Sequence, residues 1–460
     1  MTNMLKVVNP FDETEIGKVD LVDENKIEKF LKNAHHLHKS SNNILPAHKR
    51  ISILKKVATL MANDAHNLAM LIASEGGKPL IDARVEVARA IDGVETCAHD
   101  LSNIVGKEIP MGLTPASDNK LAFSIREPIG PVVAVSAFNH PLNLIVHQVA
   151  PAIAVGCPVI VKPADDTPLC CEKFISLLYQ AGLPEEWASF APCEIPIAQK
   201  LVTDPRVAFF SFIGSAKVGW YLKSQLAPGT RFALEHGGAA PVIVCPSANT
   251  EEMLPKLIKG GFYHSGQVCV SVQRVFVVNG DARSLAEKLS IEANKLNVGN
   301  AVEETTECGP LIRPREVDRV ETWVNDAIAS GAQAICGGKR LSKTTYEPTV
   351  LLNPNYNENV SKSEIFGPVI CVYDCKSNEE AIDRANSLEF AFQSAVFSNN
   401  LKESMFYFHN LDSSAVMIND HTAFRVDWMP FAGRRQSGYG VGGIGFTMED
   451  MTQVKMAVIN

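Results

Sequence analysis

Long apolar runs are missing from this chain: no uninterrupted segment approaches membrane-spanning length. The start, Met1-Thr2-Asn3-Met4-Leu5-Lys6, has no basic region followed by an apolar block, so no export signal is read there and a cytoplasmic location is expected. Clusters of Lys and Arg interleaved with aromatics are also absent, and a formal charge of −8 offers no electrostatic footprint for nucleic acid. Cys-x-x-Cys pairs do not occur. The 11 cysteines are odd in number and irregularly spaced, which favours reduced thiols over disulfides or zinc. The adjacent Cys170 and Cys171 fall in a helical pattern and read as core. His35, His36 and His38 point to different sides of a helix without a completing carboxylate, so no metal is expected.

What is present is a globular composition, 46% hydrophobic and 20% charged, over 460 residues. That length exceeds one ordinary core, and two or three structural units are expected. The first hundred residues are mainly helical in pattern. A polar, loosely helical start covers residues 10 to 45. Ile53, Val57, Leu60 and Met61 place one stripe of a long helix, 47 to 73, ended by Gly76-Gly77. A second helix from Pro79 carries Val85, Val87, Ile91 and Val94.

From residue 128 onward, strands and helices alternate. Pro131 to Ala137 is suited to a buried strand, followed by the loop Phe138-Asn139-His140-Pro141 and a helix from Leu142 to Val155. Next come a strand at 159 to 162, a helix with Thr167 as N-cap and Gly182 as its end, and strands at 207 to 213 and 242 to 245, with another ending at Glu235. Such alternation predicts a mostly parallel, doubly wound α/β sheet with ligands at the strand carboxyl ends. Asn139, Lys162, Gly214 and Ser215 all fall just after strands. A second α/β unit follows Pro241, including a capping box at Ser377 and Glu380 and a strand at 415 to 419. The tail, 451 to 459, reads as a strand that pairs near residue 120 or with another subunit.

Five groups of residues are candidates for the chemistry. Cys269, between the turn Tyr263-His264-Ser265-Gly266 and a strand, is a candidate nucleophile; a free cysteine is also a common inert core residue. Glu235, 34 residues upstream and beside Gly237-Gly238, is a candidate base for activating water, or a structural carboxylate capping a turn. Asn139, just after a predicted strand, is a candidate site residue, or a turn asparagine before proline. Gly214-Ser215-Ala216-Lys217-Val218-Gly219 opens a helix after a strand, where free amides and the helix dipole favour a phosphate, although it is not the Gly-x-Gly-x-x-Gly fingerprint. Lys162 with Asp165 suits ribose hydroxyls, and a carboxylate there repels a 2′-phosphate, favouring NAD over NADP.

Taken together, these segments resemble the aldehyde dehydrogenase superfamily along essentially the whole chain. Phe138-Asn139-His140-Pro141 looks like its oxyanion loop, Val161-Lys162-Pro163-Ala164-Asp165 its ribose stretch, and Phe212-Ile213-Gly214-Ser215 its pyrophosphate turn. Leu234-Glu235-His236-Gly237-Gly238 is similar to the general-base motif and Gly266-Gln267-Val268-Cys269 to the nucleophile motif. Glu364-Ile365-Phe366-Gly367-Pro368 resembles the segment whose Glu364 and Phe366 hold the nicotinamide ribose and ring, and Pro430-Phe431-Ala432-Gly433 the closing signature. Departures are His236 for the usual leucine, Ala239 for lysine, Ile213 for threonine, Ala432 for glycine, and an atypical stretch at 188 to 198.

The resemblance implies a Rossmann-like dinucleotide-binding domain (1–109 and 129–236), a catalytic domain (237–440) and a small β oligomerisation element (110–128 and 441–460), hence homodimers or homotetramers. It implies oxidation of a small polar aldehyde, of the lactaldehyde or phosphonoacetaldehyde kind, to the carboxylate with NAD, or with NADP. The thioester on Cys269 would be hydrolysed by water activated by Glu235. Arg425 is expected either to meet an anionic or hydroxylated substrate end or to pair with Asp427 or Asp420. The rival readings are an NADP-preferring, non-phosphorylating glyceraldehyde-3-phosphate type and an inert family-fold subunit.

Overall fold

A computed structural model describes residues 4–40 and 45–460. The start of the chain at residues 1–3, on which the absence of an export signal was partly read, lies outside the described residues. Among the described residues, no helix is long and apolar enough to cross a membrane.

Two mixed, largely parallel sheets dominate. The first has six strands in the order Gly438–Tyr439, Arg231–Glu235, Phe209–Ile213, Val132–Val135, Val159–Lys162, Ala188–Phe190. Only its Gly438–Tyr439 edge is antiparallel. Side-chain alternation divides its two faces. Val132, Ala134, Val159 and Val161 pack into one core with the helices Ala47–Asn63, Leu80–Asp100 and Asn143–Val155. Val133, Ile160, Phe210 and Phe212 face the opposite core with Ile27, Leu31 and Trp220.

The second sheet has seven strands in the order Gln333–Cys336, Thr349–Leu352, Val369–Cys375, Val272–Val278, Ala240–Val244, Gln393–Phe397, Ala415–Ile418. It too divides two cores, with Phe276 and Cys371 on one side and Val275 and Val372 on the other. The tail Thr452–Ile459 pairs antiparallel with Leu121–Pro128, the neighbourhood expected for it, and leaves its own outer edge free.

Four local expectations need correction. The polar start is preceded by a hairpin, Met4–Val8 against Glu15–Asp20, before the helix Glu24–Lys39; its short strands carry no long alternation to announce them. The helix expected over 47 to 73 is two, Ala47–Asn63 and Ala65–Gly76, broken at Asp64, whose carboxylate is drawn to Lys173 at 2.8 Å. Thr167 does not cap the helix Leu169–Ala181. The buried carboxylate of Glu75 does so from another helix, accepting from the Leu169 and Cys170 amides at 2.8 and 2.9 Å. Finally, Val85 is 55% exposed, and the buried face of Leu80–Asp100 instead carries Asp82 and Glu86 among small residues.

Candidate active site

The carboxyl ends of the first sheet, the loops that lead into the strands Val272–Val278 and Val369–Cys375 of the second, and the loop after Ala415–Ile418 surround a cavity of about 600 Å³. Cys269, Glu235, Asn139, Gly214, Ser215, Glu364, Phe366 and Arg425 all line it. Lys162 and Asp165 do not. They form an ion pair at 2.6 Å just behind Ala164, which does.

The loop that presents Cys269 is held in an uncommon backbone conformation. His264, Ser265 and Gly266 have φ of 48°, 56° and 71° in succession, and non-glycine residues stay in that region only when their surroundings impose it. Here Ser265 Oγ donates to the Gly309 carbonyl at 2.6 Å. Gln267 donates to the Pro310 carbonyl at 3.2 Å and accepts from the Ile312 amide at 2.9 Å. A Cβ on Gly266 would stand 2.1 Å from the Gly367 carbonyl. Val268 and Val270 then bury into a small apolar cluster with Phe392 and Phe431, leaving Cys269 between them, half-buried at the cavity wall.

Asn139 is positioned from both sides. Its Nδ2 donates to the Gln267 carbonyl at 2.9 Å. Beyond it, the Leu142 and Asn143 amides that begin the next helix donate to Glu86 Oε1 at 2.9 and 3.0 Å. The buried Lys78 ammonium pairs with Glu86 and reaches His140 Nδ1 at 2.7 Å. His140 therefore accepts through Nδ1 and is neutral, burial and Lys78 pushing it down to about 4.

Glu235 ends its strand with its carboxylate against backbone, since a Cβ on Gly442 would come within 2.2 Å of Oε1. Burial raises its pKa, and Arg425 opposes the rise. Burial likewise pushes the Cys269 thiol up to about 12, again with Arg425 opposing and with Glu364 and Glu235 adding to the rise. The Arg425 guanidinium thus acts electrostatically on both groups while lying 3.6 Å over the Phe431 ring. Its Nε has no hydrogen-bond partner, and among the described residues it forms no ion pair. Asp427 is engaged elsewhere. It accepts from Arg89 at 3.0 and 2.7 Å, from Asn143 at 3.0 Å and from His147 Nε2 at 2.7 Å. Of the two expectations for Arg425, the ion pair is therefore not formed.

Glu364 also lacks a partner at the cavity wall. Its Oε1 is buried and unpaired, and burial pushes its pKa up to about 8. The approach to the preceding motif is tight: a Cβ on Gly237 would stand 1.6 Å from Oε1, so any side chain there would displace this carboxylate. A buried, unpaired carboxylate oxygen, the unfilled helix start at Ser215, and an edge-to-face pair of Phe138 and Phe366 at 5.8 Å fit hydroxyl, phosphate and ring groups of a dinucleotide.

The chain as a whole is similar to known proteins. A family model described as the aldehyde dehydrogenase family matches residues 1–457. The chain belongs to it. It is 32% identical over 457 residues to the 3-sulfolactaldehyde dehydrogenase of Priestia aryabhattai, covering 99% of this chain and 95% of that one. It is 35% identical over 462 residues to the lactaldehyde dehydrogenase of Methanocaldococcus jannaschii, covering 99% and 97%. Among solved structures, aldehyde dehydrogenase 21 of Physcomitrella patens in complex with the reaction product succinate superposes with TM-score 0.96 at 33% identity, covering 100% of this chain and 95% of that one. The glyceraldehyde-3-phosphate dehydrogenase GapN of M. jannaschii complexed with NADP gives 0.94 at 34%, covering 100% and 99%.

Sequence reasoning missed Arg89, Gln267 and the holding roles of Glu86 and Lys78. The available signal was the face of Leu80–Asp100 on which Asp82, Glu86 and Arg89 recur at helical spacing: charges sharing one face with buried Ala83, Val87 and Ala90 mark a polar interior, not a solvated side.

Proposed function

We propose that the protein oxidises a small aldehyde bearing an anionic or hydroxylated tail to its carboxylate, with NAD as hydride acceptor. The observation that carries this is the convergence of Cys269, Glu235 and Asn139 in one cavity with the half-buried Arg425, which forms no ion pair among the described residues, and with Arg89. The Cys269 sulfur, as thiolate, attacks the aldehyde carbon, and the oxygen gains negative charge as the Asn139 amide donates to it. The Arg425 guanidinium receives the substrate's tail and favours the charged forms of Cys269 and Glu235. Bound, the nicotinamide cofactor supplies the hydride acceptor. Glu235 then takes a proton from the water that cleaves the Cys269 thioester, and a carboxylate raised by burial is a stronger base for that step. Gly214, Ser215, Glu364 and Phe366 would hold the cofactor, with the Lys162–Asp165 pair behind them.

Relatives acting on sulfolactaldehyde and lactaldehyde support a small substrate with a polar tail. A preference for NADP is the second reading, supported by the NADP complex of the M. jannaschii structure; the Asp165 carboxylate favours NAD. Copies of the chain would associate through residues 110–128 and 441–460. The free edge of Thr452–Ile459 and the exposed Phe123, Ile125, Val454 and Met456 support that reading.

Absorbance at 340 nm, followed with NAD or NADP against a panel of sulfonated, phosphonated, carboxylated, hydroxylated and plain aldehydes, tests this. Turnover of charged or hydroxylated aldehydes with NAD is expected, and a signal with unsubstituted alkyl aldehydes alone would remove the substrate class.

A further inference from the structure

His236 directly follows Glu235, and its ring turns back beneath the helix Ala216–Ser224. Nδ1 lies 2.8 Å from the Gly214 carbonyl, so Nδ1 bears the hydrogen and donates. The ring packs against Phe212 and Trp220 with centroids 5.7 and 5.9 Å away. A Cβ on Gly219 would meet its Cε1 at 2.0 Å, so the helix admits the imidazole only because residue 219 is glycine. The amide of the same Gly214 donates to the Glu235 carbonyl at 3.0 Å. Consecutive residues 235 and 236 therefore hold both polar groups of Gly214.

The consequence follows from peptide geometry. A trans peptide directs its carbonyl and the next N–H to opposite sides. With the Gly214 carbonyl drawn toward His236, the Ser215 N–H is turned away from it. That N–H donates to no protein acceptor among the described residues, and Gly214 and Ser215 both line the cavity. We propose that His236 is a positioning residue whose Nδ1–H locks the Gly214–Ser215 peptide with its amide presented to the diphosphate of the cofactor. The proposal rests on the dinucleotide reading of this cavity. A leucine here would fill the space beneath the helix but donate nothing. This chain adds a hydrogen bond to the turn that the dipole of the following helix already makes attractive to phosphate.

The test is calorimetric titration of the full-length protein and of His236→Leu and His236→Asn with NAD and with ADP-ribose, which contains the diphosphate without the nicotinamide. Thermal melts confirm that each variant is folded. Asn keeps a donor near the position of Nδ1 on a smaller side chain. His236→Leu is expected to weaken both ligands roughly tenfold, the upper range for a lost hydrogen bond, and to raise KM for NAD more than it lowers kcat. His236→Asn should recover most of the affinity. Parental affinity in the Leu variant, or equal weakening in Leu and Asn variants, overturns the locking role. A parent protein that binds neither NAD nor ADP-ribose overturns the cofactor reading and this inference together, whereas loss confined to the Leu variant leaves the cofactor reading in place.

Discussion

The side-chain amide of Asn139 donates to the carbonyl of Gln267, two residues before Cys269, at 2.9 Å. One of its two N–H bonds is thereby spent on orientation, which keeps the amide plane fixed relative to the thiol and leaves the other to meet a developing oxyanion.

Removing that amide should therefore cost rate more than binding. Asn139→Ala is expected to lower kcat by about two orders of magnitude, the usual loss for one oxyanion donor. KM should change little. Steady-state kinetics at saturating cofactor check this, and a rise in KM with unchanged kcat would assign the residue to substrate binding.

Glu235→Gln should separate the two halves of the reaction. A burst of reduced cofactor equivalent to the active sites, followed by a stall with the acyl group trapped on Cys269, is expected in rapid-mixing absorbance and intact-mass measurements. The acid limb of the parent kcat profile carries the sign. As the proposed base Glu235 would act as a carboxylate, and burial raises its pKa above the ordinary 4.5. The rate should fall as pH drops through a midpoint above that value, and the limb should vanish in the Gln variant if hydrolysis limits turnover.

Arg425 and Arg89 predict different losses, although both line the cavity. Arg425→Ala removes a guanidinium with no protein ion pair, so kcat/KM for phosphonoacetaldehyde, lactaldehyde or succinate semialdehyde should fall roughly a hundredfold, with stability little changed. If all three are unaffected, the residue has no substrate role. Arg89→Ala instead strips a buried carboxylate, Asp427, of its charged partner. It should cost about 3 kcal/mol in urea unfolding, near the lower end for a broken buried pair because Asn143 and His147 still donate.

Cofactor preference should move with Asp165. Its carboxylate pairs with Lys162 at 2.6 Å while remaining partly exposed. Asp165→Ser removes the repulsion of a 2′-phosphate and frees the ammonium to attract it, so kcat/KM for NADP relative to NAD should rise at least tenfold. An unchanged ratio would show that discrimination lies in other residues.

Much of the plan was legible locally. Runs such as Val132-Val133-Ala134-Val135 announce buried strands because both faces of a parallel sheet are covered, and Gly156 and Gly182 end helices in the left-handed conformation that glycine readily adopts. Asn139, Lys162, Gly214 and Ser215 could be placed on one edge because the residues after parallel strands share it, and all but Lys162 line the cavity. The failures were equally physical. Val85 fits an apolar stripe yet faces outward, because Asp82, Glu86 and Arg89 need the interior to meet Lys259, Lys78 and Asp427. Thr167 is an acceptable cap, but Glu75 from another helix supplies two acceptor oxygens to its neighbours' amides.

By itself, then, the amino-acid sequence determined most of the order of strands and helices and singled out Cys269, Asn139 and Glu235 as candidates for the chemistry, since those depend on short-range periodicity and on motifs that resemble those of the family. Tertiary structure alone decided how the buried charges are shared: that Asp427 takes Arg89 and leaves Arg425 to the cavity, that Glu364 presses against Gly237, and that His236 reaches back to Gly214. Those pairings join residues far apart along the chain, and each is fixed by the cost of burying a polar group without a partner, a quantity that exists only once the chain has closed around it.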